Sequence, residues 1–452
     1  MPLFRVHFRS LSLPFLALMA LTAALTGCHA QSSPATSAAA PTSLPPALVT
    51  DHPEAWAWLQ RYDGTMTRAE FEETLRLFDL KGALLKQSTL DDDGLAVFPG
   101  PEKTGEPDVR IAFAPPGQEK KRALPEFRTP AAFRALPKPA DRPLAGLRIA
   151  IDPGHIGGAW AQIEDRSIEY GGIGRLQEGD LNLITAAILT RQLTALGTTV
   201  FPTRTTPEPV TDARPENLLA EARETILKKH PDLTSISPSR LELMSHILFE
   251  RKYEFLARGA KIRNEFPKAD LTLVLYINAT PSSGYGHLIG PNQNIFFVEG
   301  AYLPDEVADP DIRFRMLYKA FARVAPTEYD VAAAIARAFK KETGLPPVPY
   351  GDSPTTRLVH DNNFDVVARN LGASRQDDGP VVTTEPYFMN NRTSAKRFIA
   401  GDYEGERDFD GRRYQSIFRE YAGCIVQGLI EAYGPPGSAM AGTAPAAPPA
   451  AP

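Results

Sequence analysis

A chain of 452 residues can bury more than one core, and at roughly 150 residues per domain its length implies two or three folding units. Its 49 Lys and Arg against 54 Asp and Glu leave a formal net charge of −5 at pH 7. The basic surplus that phosphate backbones recruit is absent, so nucleic-acid binding is set aside.

The N-terminus reads as an address. Arg5 and Arg9 precede an apolar stretch from Leu11 to Leu25, shorter than the ~20 residues a membrane-spanning helix needs. "LTGC" then places small residues before Cys28, in the pattern of a bacterial lipobox. Residues 1–27 are therefore expected to be a lipoprotein signal peptide, and Cys28 the lipidated first residue of the mature chain. An ordinary cleaved signal with an incidental cysteine is the alternative. Residues 28–50 are Ala-, Ser- and Pro-rich, too poor in apolar surface to order themselves, and read as a tether. Residues 436–452 have the same composition and read as a disordered tail. The expected location is the bacterial envelope, as a periplasmic lipoprotein held in the outer membrane by its lipid.

From 51 to 138 the pattern is that of a small α+β region of unknown role. In "TRAEFEETLRLFD", Thr67 and Glu70 are spaced as a capping box and Phe71, Leu75 and Phe78 line one helix face. "ALLKQS" and "GLAVFPG" read as strands joined by the turn "TLDDDG". Trp56 and Trp58 could touch a glycan, but an aromatic pair beside a helix is more often packing.

From 146 to 435 strand and helix alternate. "LRIAID" and "LTLVLYINA" are continuous apolar runs of the kind found in buried parallel strands, and "TTVFPTR" is a shorter one. "GDLNLITAAILTRQLTALG" and "YEFLARGAKIRNEFPKAD" carry helical periodicity. The predicted class is α/β, a twisted, mostly parallel sheet flanked by helices, preceded by the small α+β region. Cys424, the only cysteine besides Cys28, falls on the apolar face of a helix in "IFREYAGCIVQGLIEAY" and reads as a core residue, so no disulfide framework is present.

In open α/β sheets ligands bind beyond the carboxyl ends of the strands. "IAIDPGHIGG" puts His155 at such an end, among glycines that allow close approach. Glu178 in "LQEGDLNL" and Glu385 in "VVTTEPYFMNN" sit in comparable places. One histidine and two acids at one sheet edge suit a metal site with a general base beside it. Taken in order, "IAIDPGHIGG", "LQEGDLNL", "FPTR", "LARGAKIRNEFPKADLTLVLYINA" and "VVTTEPYFMNN" resemble the motifs of the zinc-dependent N-acetylmuramoyl-L-alanine amidases, which separate stem peptide from glycan in peptidoglycan. The resemblance runs from about Leu147 to Tyr433, with two insertions, and leaves out the N-terminal region. It implies an amidase-like fold, peptidoglycan as the partner, zinc as the cofactor, His155 and Glu178 as zinc ligands, and Glu385 as the catalytic acid/base.

That family takes a further ligand from the histidine of a His-x-Asn-Ala segment. Here the segment is Tyr276-Ile277-Asn278-Ala279. Three arrangements are compatible with the residues: Tyr276 ligates as a phenolate, His287 or His360 replaces the lost ligand, or the metal site is weakened or lost. Two functions follow, a zinc-dependent peptidoglycan amidase active in wall remodelling, and a non-catalytic amidase-like lipoprotein that binds peptidoglycan or regulates other wall enzymes. A carboxypeptidase-type metallohydrolase would need His-x-x-Glu and a distant His, and no such cluster surrounds His155.

Overall fold

The computed structural model describes residues 52–121, 127–280, 286–361 and 363–438, except for the side chain of Gln376. The expected signal peptide, the tether with Cys28 and the tail beyond residue 438 lie outside the described residues. Two compact units are present. Among the described residues, the first combines 52–121 with Ala301–Arg323, and the second takes the remainder.

In the first unit a 3₁₀ stretch (Pro53–Tyr62) and a helix (Arg68–Phe78) precede strands β1 (Ser88–Leu90), β2 (Gly94–Val97) and β3 (Val109–Ala112). These strands pair antiparallel in chain order. The expected capping box is formed: the Glu70 N–H donates to Thr67 Oγ1 at 3.2 Å and the Thr67 N–H to Glu70 Oε2 at 2.9 Å. "ALLKQS" departs from the strand expected of it. Ala83–Lys86 is one helical turn, because the Asp79 carboxylate accepts from the N–H groups of both Ala83 and Leu84 at 2.8 Å and satisfies the start of a helix instead. Extended structure begins only at Ser88.

The sequence division at 138 and 146 also differs from the units observed. Residues 127–138 lie in the second unit, where Arg128 Nε donates to Asp270 at 2.9 Å and the Phe133 ring meets Tyr433 edge-on. Ala301–Arg323, within the stretch assigned to the amidase-like region, lies in the first. Its helix Pro310–Ala322 supplies Phe314, Tyr318 and Phe321, which pack on Trp56, Trp58, Tyr62 and Phe71. A three-stranded sheet with short helices has little apolar surface of its own, and this segment completes the aromatic core. Trp56 and Trp58 are buried in it, as the packing reading has it.

The second unit carries strands β4 (Arg148–Pro153), β5 (Ser167–Tyr170), β6 (Gly174–Gln177), β7 (Thr199–Pro202), β8 (Leu271–Leu275), β9 (Asn294–Glu299), β10 (Thr356–Leu358), β11 (Val366–Arg369) and β12 (Val381–Pro386). Seven of them form one sheet in the order β10-β11-β9-β12-β8-β4-β7. The run β12-β8-β4-β7 is parallel, as is β9 with β11, while β12–β9 and β10–β11 are antiparallel. The fold is thus the expected α/β class with a mostly parallel sheet. Every residue of β8 and β9 is buried, which requires cover on both faces. Helices Glu178–Ala195, Val324–Thr343 and Ile417–Tyr433 pack together. Helix Glu254–Glu265 and the residues after it bring Ile262 and Phe266 against Ala150 of β4. Cys424 is buried in helix Ile417–Tyr433.

Candidate functional site

Because β7, β4, β8 and β12 run in one direction, their carboxyl ends share an edge. Arg204 follows β7, His155 follows β4, Tyr276 follows β8, and Glu385 ends β12. The β5–β6 hairpin leads directly into the helix that Glu178 opens. A carboxylate at the first turn complements the positive end of the helix dipole. Glu178 Oε1 also accepts the Ile277 N–H at 2.9 Å, tying helix start to strand end.

The loop carrying His155 is packed against its surroundings at two glycines. A Cβ on Gly154 would lie 2.2 Å from the Tyr276 ring, and one on Gly179 would lie 2.3 Å from the Ile156 carbonyl. His155 itself has φ 57°, a conformation that costs a non-glycine residue free energy unless its surroundings hold it. They do: the His155 carbonyl accepts from both Arg204 Nη2 and Arg258 Nη2, and Asn182 Nδ2 donates to the Gly154 carbonyl at 3.1 Å. Arg258 is buried and also reaches Asp152 at 3.1 Å and Glu254 at 2.7 Å.

His155 lies between two buried carboxylates. Nδ1 is 3.5 Å from Glu164 Oε2, and Nε2 is 3.4 Å from Glu178 Oε2. Arg166 Nε donates to His155 Nε2 at 3.2 Å and stands 3.5 Å from Glu178 Oε2. The Tyr276 ring meets the imidazole edge-on with centroids 4.9 Å apart. Glu385, with 14% of its side chain exposed, is 3.9 Å from Arg369.

The charges in this cluster set one another's protonation. Burial would raise the Glu164 carboxyl, but the interaction with the His155 imidazole, the Ile156 N–H and the Arg258 charge together outweigh it and hold it below its ordinary value. Burial raises the Glu385 carboxyl, only partly countered by Arg369, with Glu178 adding to the rise. Burial and the nearby Asp152 push the Tyr276 phenol far up, so it stays neutral. Burial, helped by the like charge of Arg258, lowers Arg204 to about 10, still a cation at neutral pH.

The structure therefore brings His155, Glu178 and Tyr276 into one cluster and sets Glu385 at the same sheet edge. His287 and His360 are exposed, no contact among the described residues joins either to His155 or Glu178, and the His360 ring pairs with Tyr329. Zinc takes three protein ligands in a catalytic site. His155 Nε2 and Glu178 Oε2 have about the separation, near ~3.4 Å, of two ligands at a tetrahedral zinc. At the strand end where the resemblance puts a third ligand stands Tyr276, a neutral phenol, and among the described residues no group of three or more His, Cys, Asp or Glu side chains could hold a metal ion. This donor set does not fit a resident zinc.

Four residues of the cluster carry no role in the sequence reading. Arg204 lies within "FPTR", where an arginine just after a strand end was the available signal, and Arg258 lies within "LARGAKIRNE", inside helix Glu254–Glu265, where the helical pattern marks no chemistry. Glu164 and Arg166, in "IEDRSIEY", follow the histidine in an irregular loop whose pattern marks no chemistry.

No protein-family profile matches the chain, and no curated protein sequence matches it. Solved structures do. The chain is similar to the CwlD amidase of Clostridioides difficile, solved in complex with the GerS lipoprotein, at 15% identity and TM-score 0.34, covering 64% of this chain and 98% of that one. It is similar to the apo form of the N-acetylmuramyl-L-alanine amidase Ami1 of Mycobacterium abscessus, at 14% identity and TM-score 0.35, covering 64% and 99%. It is also similar to the catalytic domain of CwlV, an N-acetylmuramoyl-L-alanine amidase of Bacillus (Paenibacillus) polymyxa var. colistinus, at 16% identity and TM-score 0.31, covering 63% and 97%. These structural neighbours are N-acetylmuramoyl-L-alanine amidases at low sequence identity, and likeness at these scores assigns no activity to the chain.

Proposed function

We propose that this chain is an amidase-like protein of the bacterial envelope that binds peptidoglycan at the carboxyl edge of its sheet without hydrolysing it through zinc. The ordered motifs from "IAIDPGHIGG" to "VVTTEPYFMNN" support the choice of partner. The observation that carries the non-hydrolytic reading is the incomplete ligand set: beside His155 and Glu178 stands the neutral Tyr276 phenol, where a third ligand would be required. Lipidation at Cys28 would hold the protein at the membrane facing the wall.

One observation favours the hydrolase. Burial holds the Glu385 carboxyl above its ordinary value, as suits a group that must exchange a proton near neutral pH. A single experiment separates the two readings. Purified protein is incubated with peptidoglycan sacculi, with and without added Zn²⁺, and the pellet and the released peptides are quantified. Binding to sacculi with no peptide release above a Glu385→Ala control is expected. Zinc-dependent release that Glu385→Ala abolishes would establish the amidase instead, and failure to sediment with sacculi would remove peptidoglycan as the partner.

A further inference from the structure

His155 Nε2 and Glu178 Oε2 are both electron-pair donors, 3.4 Å apart in a buried setting. Two such atoms do not approach without a proton or a cation between them. A neutral imidazole has one lone pair in the ring plane, on the nitrogen that lacks hydrogen. Arg166 Nε, whose N–H can only donate, points into that pair at 3.2 Å and faces Glu178 Oε2 at 3.5 Å. The His155 proton is then on Nδ1, toward Glu164. Arg166 Nη1 donates to the Asp165 carbonyl at 3.2 Å and to the Glu164 carbonyl at 3.4 Å, fixing the guanidinium to its own loop.

We infer that the Arg166 guanidinium is the resident cation of this site. It takes the His155 lone pair and the Glu178 oxygen that a divalent ion would need, and the two cations exclude each other there. The difference from a metal is chemical: a guanidinium neutralises Glu178 and orders His155 but activates no water, because its pKa lies far above neutrality and it offers no open coordination position. The inference rests on the non-hydrolytic reading in one respect, that the wild-type chain takes up no zinc.

The test is metal retention by the full chain. Wild-type protein, Arg166→Ala, Tyr276→His and the double variant are loaded with Zn²⁺ or Co²⁺ and desalted, and bound metal and the visible Co²⁺ spectrum are measured. Wild type should retain essentially none, whereas the double variant, with the lone pair freed and a third ligand supplied, should retain about one equivalent with a tetrahedral Co²⁺ spectrum. Adding His155→Ala should lower that affinity at least ~10-fold. Stoichiometric metal on wild type that Arg166→Ala does not increase would overturn the inference, as would a folded double variant that retains none. If the double variant does not fold, ¹⁵N–¹H correlation of the wild-type His155 ring decides: a proton on Nδ1 alone supports the inference, and one on Nε2 overturns it. Neither result touches binding to sacculi, so the inference and the peptidoglycan reading fail separately.

Discussion

Replacing Arg258 with methionine should destabilise the second unit by about 3 kcal/mol, the lower end of the range for breaking a buried ion pair. Methionine keeps much of the volume and removes the charge. The Arg258 side chain is 3% exposed and pairs with Asp152 at 3.1 Å and Glu254 at 2.7 Å, so both carboxylates lose their guanidinium inside the protein. Neither is left bare. Asp152 keeps the Thr203 hydroxyl at 2.6 Å, and Glu254 keeps the N–H groups of Val210 and Thr211, each with a 2.9 Å contact. The Pro153 and His155 carbonyls keep Arg204. These surviving donors argue for the lower end rather than the upper. Urea unfolding followed by circular dichroism measures it: with m of about 3 kcal/mol/M, the midpoint should fall by ~1 M. A loss below ~0.5 kcal/mol would refute the reasoning, since it would mean that the two carboxylates are satisfied without the guanidinium.

Three further perturbations probe the same edge. Glu164→Gln removes a carboxylate whose folded-state pKa is lowered. Its stabilisation is therefore present above the ordinary value of 4.5 and lost as pH falls through the folded value, so the variant should lose about 1–3 kcal/mol at pH 7 and nothing near pH 2. Glu385→Gln has the opposite sign. Its carboxyl is raised, so the unfolded chain gives up the proton first as pH rises past 4.5, and the variant should have a higher urea midpoint than wild type at pH 8 and an equal one at pH 3. Gly154→Ala should cost about 3 kcal/mol by overpacking. Tyr276→Ala in the same chain should relieve only part of it, because the added Cβ would also meet the Leu275 carbonyl at 2.5 Å.

The strand edge was legible because its signals are local. A short apolar run marks a buried strand whatever surrounds it, β4, β8 and β12 lie where such runs stand, and at β4 Asp-Pro-Gly also marks the end. The capping box at Thr67 and Glu70 is local for the same reason. What escaped depends on distant partners. Nothing near Ala301–Arg323 says that Phe314 and Phe321 will close a core begun at Trp56 and Phe71. "ALLK" is apolar enough for a strand, and only the reach of Asp79 back to two of its N–H groups makes it a helical turn.

Tyr276 and Arg166 show the limit most sharply, because they differ in how absence is read. A missing histidine in "LYINA" is visible against the family's His-x-Asn-Ala pattern, and three arrangements are compatible with it: a phenolate, a substitute histidine or a lost site. The second draws no support from the structure, since His287 and His360 are exposed and no contact among the described residues joins either to His155 or Glu178. Burial and the Asp152 charge, only partly opposed by Arg258, keep the Tyr276 phenol protonated in the metal-free chain, which gives the first no support. The third needs completion, because losing a cation would leave Glu178 and the His155 lone pair in mutual repulsion at 3.4 Å, and a fold keeps such a pair only if something positive replaces the ion. Arg166 meets that electrostatic need from a loop position without a periodic signal, which is why Tyr276 could be singled out by pattern and Arg166 only by geometry.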